Sequence, residues 1–225
     1  MIQLYHVSKQ YVKNQFAVND LNLSIEKGEF VFLTGSSGAG KTTLLKMLYK
    51  EELPSKGQIL IDSVNINLIP DHKIYKLRRQ FGIVFQDFKL LMDRTVYENI
   101  AIPLQIRGER KSLIDKKVTS ALALVGLTHR KRYLTAHISG GEQQRVAIAR
   151  AFIGNPKIIL ADEPTGNLDT ELSIEIIKIF ESINANGITI IIATHDLNLL
   201  NLFPKRLIKL DKGQLAFDRQ REDRT

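Results

Sequence analysis

The sequence predicts an α/β fold built on a parallel sheet, with an antiparallel β-rich flank at the N-terminal end and a helical insertion. Short apolar runs of strand length occur at residues 29–34, 157–162 and 188–193, and each is followed by glycine or polar residues. From about residue 87 to residue 156 the apolar spacing is mainly helical. The two kinds of spacing therefore indicate an α/β core interrupted by helices.

The individual elements follow from the same spacing. Expected strands are 2–7, 16–25, 29–34, 57–61, 81–85, 157–162, 188–193 and one near 207. Expected helices are 41–50, 96–107, 113–125, 146–152 and one beginning near 170. A turn is expected at 10–15, and the charged tail after Phe217 is expected to fray.

The domain organisation is expected to be simple. No linker, repeat or low-complexity segment divides the chain, so residues 1–225 are interpreted as a single domain. Its core lobe is expected at about 1–86 and 157–225, and its helical subdomain at about 87–156.

A complete G-x-x-x-x-G-K-[ST] loop lies between the third strand and the first helix. Its nucleotide-binding residues are expected to be Gly35, Ser36, Ser37, Gly38, Ala39, Gly40, Lys41, Thr42 and Thr43. Such a loop points backbone N–H groups inward, and the positive end of the next helix adds to them, so the pair can hold a polyphosphate. Lys41 would reach the β- and γ-phosphates, and the Thr42 hydroxyl would ligate Mg²⁺. A chance glycine turn is disfavoured because both flanking elements fit.

Two adjacent carboxylates, Asp162 and Glu163, end the apolar strand at 157–162. Side chains alternate along a strand, so the two acids should face different groups. We assign Asp162 to Mg²⁺, through water, and Glu163 to polarising the attacking water. An acidic pair at a strand end is more often a solvated turn, but the apolar lead-in and the following Pro164 favour a site.

A third motif precedes the helical pattern at 146–152. It comprises Ile138, Ser139, Gly140, Gly141 and Glu142. A hydroxyl and exposed backbone N–H groups at a helix start can bind an anion, although an ordinary helix cap looks the same in isolation. Together with the loop and the acidic strand, this motif resembles the signature of ATP-binding cassette proteins, usually written L-S-G-G-Q. Ile138 stands at the usual Leu and Glu142 at the usual Gln.

The resemblance covers essentially the whole chain and implies a phosphate-loop NTPase core of the ATP-binding cassette type, with ATP and Mg²⁺ as ligands. It also implies an ATP-dependent homodimer, because in the family the signature of each subunit closes over the phosphate loop of the other. The signature residues Ser139, Gly140, Gly141 and Glu142 would then contact the second copy's nucleotide.

Four further residues acquire roles from the resemblance. Tyr11 would stack on adenine, although an edge-strand tyrosine is the simpler interpretation. Gln86 would contact Mg²⁺ and water and link the site to a partner. Asp169 would lie in a loop crossing the dimer interface, or cap the next helix, or both. His195 would contact the γ-phosphate. With Glu163, Gln86 and His195 form the expected catalytic set, and Thr42, Gln86 and Asp162 form the expected metal set.

Composition restricts the cellular location and the partners of the protein. The chain of 225 residues has no cysteine and no apolar run of the roughly 20 residues that a spanning helix needs, and we expect no charged-then-apolar leader at Met1. Its net charge of +8 suits nucleic acid or an anionic membrane surface. Basic clusters at 76–79, 107–111 and 129–132 lack interleaved aromatic residues, so nucleic acid is not expected. We expect a peripheral protein at the cytoplasmic face of the cell membrane, although a solvated surface explains the clusters equally well.

The segments 90–104 and 161–169 narrow the resemblance to a bacterial subfamily that acts in cell division. That resemblance implies an integral membrane partner docking near residues 86–92. The alternatives are an ATPase for lipoprotein release or macrolide export and, further away, a soluble cassette protein of DNA repair or translation. The last class normally carries inserted or duplicated modules, and this sequence has none.

Overall fold

A computed structural model describes residues 1–12 and 15–220 of the chain. Within them the strands are β1 (Ile2–Val12), β2 (Gln15–Ile25), β3 (Phe30–Thr34), β4 (Lys56–Ile61), β5 (Val64–Asn65), β6 (Phe81–Val84), β7 (Ile158–Asp162), β8 (Thr189–Ala193), β9 (Arg206–Asp211) and β10 (Gln214–Arg219). The α-helices are α1 (Lys41–Leu48), α2 (Ile74–Arg78), α3 (Val96–Ile106), α4 (Lys111–Leu124), α5 (Gly140–Phe152), α6 (Thr170–Asn184) and α7 (Leu197–Leu202). All the predicted strands and helices are confirmed, with ends that move by a few residues.

Two sheets form the core. The first has the order β2-β1-β4-β5, and its strands pair antiparallel. The second has the order β10-β9-β3-β8-β7-β6, and all its pairs are parallel except β9 with β10. Parallel pairing brings the carboxyl ends of β3, β6, β7 and β8 to the same edge of the sheet.

The parallel strands are buried on both faces, as their continuous apolar runs predict. In β3, Val31 and Leu33 pack in the cluster that contains α1 and the antiparallel sheet, while Phe30 and Phe32 pack in the cluster that contains α6. The alternation of side chains along the strand therefore joins the two clusters through one backbone.

Helix α5 belongs to two packing units at once. Ile148 and Ala151 pack in the cluster of β-strands and α6, whereas Val146, Ala149 and Ile153 pack with α3 and α4. These residues lie on different faces of a helix with 3.6 residues per turn. The helical segment is thus joined to the sheet along α5, and its treatment as a separate subdomain stays a prediction.

Two boundary predictions need correction or restriction. Of the predicted turn at 10–15, residues 10–12 lie in β1 and Gln15 lies in β2, and the two residues between them fall outside the described part of the chain. The prediction of fraying directly after Phe217 is wrong for Asp218 and Arg219, because both lie in β10. Asp218 accepts two hydrogen bonds from the largely buried Arg206, at 2.9 and 2.6 Å. The predicted fraying of residues 221–225 lies outside the described residues.

In the described ranges, no helix has both the length and the apolar character needed to cross a bilayer.

Candidate nucleotide-binding and hydrolysis site

The edge where the parallel strands end holds a cavity of about 580 Å³. The phosphate loop follows β3, and Gln86 follows β6. Asp162 ends β7, Glu163 comes directly after it, and His195 follows β8. The cavity is lined by Ala17, Ser36, Ser37, Gly38, Ala39, Gly40, Lys41, Thr42, Thr43, Gln86, Asp162, Glu163 and His195. The structure thus brings together the predicted loop, metal and catalytic residues, although Gly35, the first residue of the loop, is not part of the lining.

Two of the loop glycines are required by the backbone. Gly40 has φ +101°, and a Cβ there would lie 2.2 Å from the carbonyl oxygen of Ala17. Gly35 has φ +151°, and its Cβ would lie 2.4 Å from the carbonyl oxygen of Leu210. Only glycine adopts these angles and leaves this space, so the residue type sets the course of the loop.

Lys41 is folded into the loop that it follows. Its Nζ donates to the carbonyl oxygens of Gly35 at 2.8 Å and Ser36 at 3.2 Å, and it lies 3.9 Å from a carboxylate oxygen of Glu163. The residue is only 8% exposed. A buried ammonium group beside the loop amides is well placed for a polyphosphate, which would supply strong anionic acceptors.

Asp162 has the features of a carboxylate that binds a cation. Its Oδ1 atom is buried and has no hydrogen-bond partner among the described residues. Burial raises the pKa of Asp162, and a hydrogen bond with the Thr42 hydroxyl partly offsets that rise. A buried, unpartnered carboxylate oxygen is costly unless a ligand satisfies it.

The three residues of the expected metal set, Thr42, Gln86 and Asp162, share one further property. All three also line a second cavity of about 600 Å³ next to the first. They therefore lie at the junction of the two cavities and supply only oxygen-bearing side chains, which are the ligands that Mg²⁺ prefers. The residues fit this ion.

Glu163 is held in an unusual backbone conformation. Its φ of +47° is left-handed, which is rare for a residue with a side chain and often marks a functional site. Its N–H donates to the carbonyl oxygen of Ala193 at 2.9 Å, and its carboxylate lies 2.9 Å from Nδ1 of His195. The side chain is 13% exposed. His195 thus orients a carboxylate that faces the cavity.

The signature residues lie outside this cavity. Ser139 caps α5: its hydroxyl accepts from the Glu142 N–H at 3.3 Å, and the Glu142 carboxylate accepts from the Ser139 N–H at 2.9 Å. Gly141 is buried against Leu172, whereas Gly140 is exposed. The helix start is therefore preformed, but its residues do not line the cavity of the phosphate loop.

Two other predicted contacts also lie away from the lining. Asp169 is exposed and caps α6 through a hydrogen bond from the Leu172 N–H at 2.9 Å, so the capping role is confirmed. Tyr11 is exposed on β1, with the Lys9 ammonium 5.0 Å from its ring centroid. The contact of Asp169 across a dimer and the stacking of Tyr11 stay predictions.

Several residues of the basic clusters, which are interpreted as surface charges from the sequence alone, donate hydrogen bonds to backbone carbonyl oxygens within the fold. Arg78 donates to the carbonyl oxygens of Tyr49 and Lys50, and Arg107 donates to those of Gly154 and Arg79. A cluster of positive charge in a sequence does not reveal whether backbone carbonyls surround it in the fold.

Arg150 is a residue that sequence reasoning missed. From α5 its guanidinium donates to the carbonyl oxygens of Phe88 and Lys89, each at 2.6 Å. Those two residues have left-handed φ values of +59° and +48°. Arg150 thus connects the signature helix to the segment that follows Gln86; its only sequence signal was an arginine on the inward face of a helix.

The segment after Gln86 has an inner and an outer part. Phe88 and Leu90 pack against the core, whereas Leu91 and Met92 are 47% and 45% exposed. Leu91 borders a groove of about 440 Å³ that continues into one of about 510 Å³. Residues common to both grooves are Phe81, Pro103 and Arg107. The continuous surface is apolar, with arginine and lysine side chains along it.

The fold and the site define a phosphate-loop ATPase with a separate signature helix. The chain belongs to the ABC transporter family, and the model of this family matches residues 18–166. It is similar to cell division ATP-binding protein FtsE of Bacillus subtilis, with 46% identity over 98% of this chain and 97% of the relative. It is also similar to FtsE of Escherichia coli, with 46% identity over 96% of this chain and 97% of the relative.

Solved structures give the same relationship. The chain is similar to the ATP-binding cassette MJ0796, solved as a dimer in a post-hydrolysis state bound to ADP and Pi, with a TM-score of 0.89 and 34% identity over 98% of both chains. Cassette cbiO1 of Clostridium perfringens matches with a TM-score of 0.89 and 32% identity, over 96% of this chain and 87% of that one. The chain is an ATPase of this family.

Proposed function

We propose that two copies of this chain bind and hydrolyse two molecules of Mg²⁺-ATP between them and so drive an integral membrane partner, of the FtsX type, in cell division and the activation of cell-wall hydrolases. The observation that carries the proposal is the separation of two preformed anion sites. Lys41, Glu163 and His195 converge on one cavity, while the Ser139 helix start lies outside its lining. The second site is supplied with a phosphate when another copy packs head to tail.

In the hydrolytic step the loop amides and Lys41 hold the phosphates. Thr42, Gln86 and, through water, Asp162 would hold Mg²⁺, which would supply positive charge to neutralise the phosphate oxygens. Glu163 accepts a hydrogen bond from the attacking water and aligns it, and His195 keeps the Glu163 carboxylate in position. Phosphoryl transfer depends mainly on such positioning and electrostatic stabilisation.

The test of the dimer uses Glu163→Gln, which should retain ATP because the water is no longer activated. With Mg²⁺ and ATP this protein should sediment as a dimer, and without nucleotide it should sediment mainly as a monomer. Adding Ser139→Arg should abolish the dimer, because bulk replaces the cap that would contact the second copy's nucleotide. A matched control is Ser182→Arg, at a polar position far along α6. A Glu163→Gln protein that stays monomeric at saturating ATP would exclude the sandwich.

The membrane partner is assigned to the groove next to Gln86. Leu91 is held there through its backbone, because buried Asn99 donates to its carbonyl oxygen at 2.9 Å and accepts from its N–H at 2.8 Å. An apolar groove of about this size accepts an amphipathic helix. The positive charges of Arg107 and Lys89 in the groove lining favour a partner helix that has acidic residues at its ends. Recruitment by such a partner would bring the protein to the cytoplasmic face of the cell membrane.

Met92→Asp should weaken capture of the membrane partner at least about 10-fold and leave ATP binding and the circular dichroism spectrum unchanged, because Met92 is exposed. Phe88→Asp should instead reduce stability, since Phe88 packs against the core. Leu68→Asp, at another exposed apolar residue, is the control. The measurement is pull-down by the detergent-solubilised partner; undiminished capture of the Met92 variant would remove this segment from the docking surface.

Relatives with 46% identity to this chain carry a cell-division name, which supports this role over lipoprotein release or macrolide export. Nucleic acid is not part of the proposal, because Arg78, Arg107 and Arg130, one from each basic cluster, are engaged within the fold. Co-purification with the membrane fraction rather than with nucleic acid is the corresponding observation.

A further inference from the structure

The signature helix of this chain begins beside a carboxylate that a separate loop holds in place. The Arg130 Nε donates to one oxygen of the Glu142 carboxylate at 2.7 Å. The other carboxylate oxygen accepts from the Ser139 N–H at 2.9 Å and from the Ser139 hydroxyl at 3.0 Å. The Glu142 side chain is 12% exposed and the Arg130 side chain is 32% exposed, so the carboxylate is the more shielded partner of this ion pair.

The carboxylate conflicts with the anion site in two ways. A phosphate oxygen hydrogen-bonded to the Ser139 hydroxyl at a normal distance of about 2.8 Å would lie within roughly 6 Å of the Glu142 carboxylate, and like charges at that range repel. In addition, the single hydroxyl hydrogen of Ser139 is donated to Glu142. For a phosphate to accept a hydrogen bond from Ser139, the hydroxyl must give up its hydrogen bond to the Glu142 carboxylate.

We propose that Arg130 is a positioning residue that makes the acidic helix start of α5 able to receive a nucleotide phosphate from a second copy of the chain. By pairing with Glu142, Arg130 cancels the negative charge at the site and draws the carboxylate toward the loop. This inference rests on the ATP-dependent dimer proposed above.

The surroundings of Arg130 support a fixed position rather than a mobile surface charge. The Tyr133 ring centroid lies 4.7 Å from the guanidinium carbon, so the guanidinium has an aromatic contact as well as a carboxylate. Burial by itself would raise the pKa of Glu142, but hydrogen bonds from Ser139 and Arg130 outweigh it and hold this pKa below its usual value. Glu142 is therefore an anion at neutral pH, and the charge that Arg130 compensates is present.

The experiment is a double-mutant cycle in the Glu163→Gln protein, with the dimer dissociation constant measured by sedimentation at saturating Mg²⁺-ATP. Arg130→Ala should raise this constant at least about 10-fold. Arg130→Gln, which keeps most of the side-chain stem, should do the same. With Glu142→Gln also present, the effect of either change should fall below about 3-fold, because no negative charge is left to compensate. Arg132→Ala removes an exposed arginine from the same loop and should change nothing.

Three results separate the possibilities. An unchanged dissociation constant for Arg130→Ala overturns the proposal. So does an equal loss with and without Glu142→Gln, since Arg130 would then act on its own or through folding. ATP binding by the monomer should be unaffected throughout, which shows that the phosphate loop is intact. If the Glu163→Gln protein does not dimerise with ATP, the proposed function fails before any Arg130 variant is made, and this inference fails with it.

Discussion

Replacing Glu163 by glutamine is expected to lower the kcat of ATP hydrolysis by about 100-fold or more, while the Kd for ATP stays within about 3-fold. The carboxylate is oriented by His195 at 2.9 Å and faces the cavity, so its loss removes the group that aligns water. The amide keeps the shape of the side chain, so the phosphate-binding groups are undisturbed.

Lys41→Ala is expected to fail in a different way. Its ammonium is the buried cation of the loop, and its removal should raise the Kd for ATP by roughly 30-fold or more, about 2 kcal/mol. Single-turnover hydrolysis and equilibrium binding of a fluorescent ATP analogue separate the two variants.

Glu171→Gln, on the exposed surface of α6, is the control for the Glu163 change and should behave as the unchanged protein. Hydrolysis by Glu163→Gln at the normal rate would refute its catalytic role. Normal ATP affinity in Lys41→Ala would refute the assignment of that residue to the phosphates.

Gly40→Ala is expected to lower the free energy of unfolding by roughly 3 kcal/mol or more. The alanine would adopt φ +101° and place its Cβ 2.2 Å from the carbonyl oxygen of Ala17, which is part of β2 and cannot move freely. The phosphate loop and the antiparallel sheet would then be forced apart.

Gly38→Ala is the matched control, because Gly38 also has a left-handed φ, +78°, but a Cβ there meets no atom within 4 Å. Gly38→Ala should lower the free energy of unfolding by only about 1 kcal/mol, because alanine is less favourable than glycine at a left-handed backbone angle. Urea unfolding followed by circular dichroism measures both variants. Equal losses would show that the left-handed angle, rather than the contact with Ala17, makes glycine necessary at residue 40.

The strands, the phosphate loop and the acidic strand end could be predicted from sequence because each depends on neighbouring residues. A continuous apolar run such as 158–161 specifies a strand buried on both faces, and Gly40 followed by Lys41 specifies the turn into α1. Strand β10 was missed because all its residues are exposed and carry no alternation. What holds it is pairing with β9 and the contact between Arg206 and Asp218, which are twelve residues apart.

The roles of the arginines depended on the fold in the same way. The sequence does not reveal the partners of Arg130 and Arg150. Arg130 holds Glu142, and Arg150 holds the backbone of Phe88 and Lys89, which are 62 and 61 residues away. Likewise, Phe88 and Met92 have the same apolar character, and only packing decides that the first is inside and the second is outside.

The sequence by itself determined the α/β class, the family and the candidate groups of the proposed hydrolytic site, because backbone angles, strand periodicity and motif spacing are local properties. The tertiary structure decided which cavity those groups share, that the signature helix start lies outside the lining of this cavity, and which charges are compensated. These are distances between parts of the chain that are remote in sequence, and they are set by strand order and by the packing of α5 against two clusters.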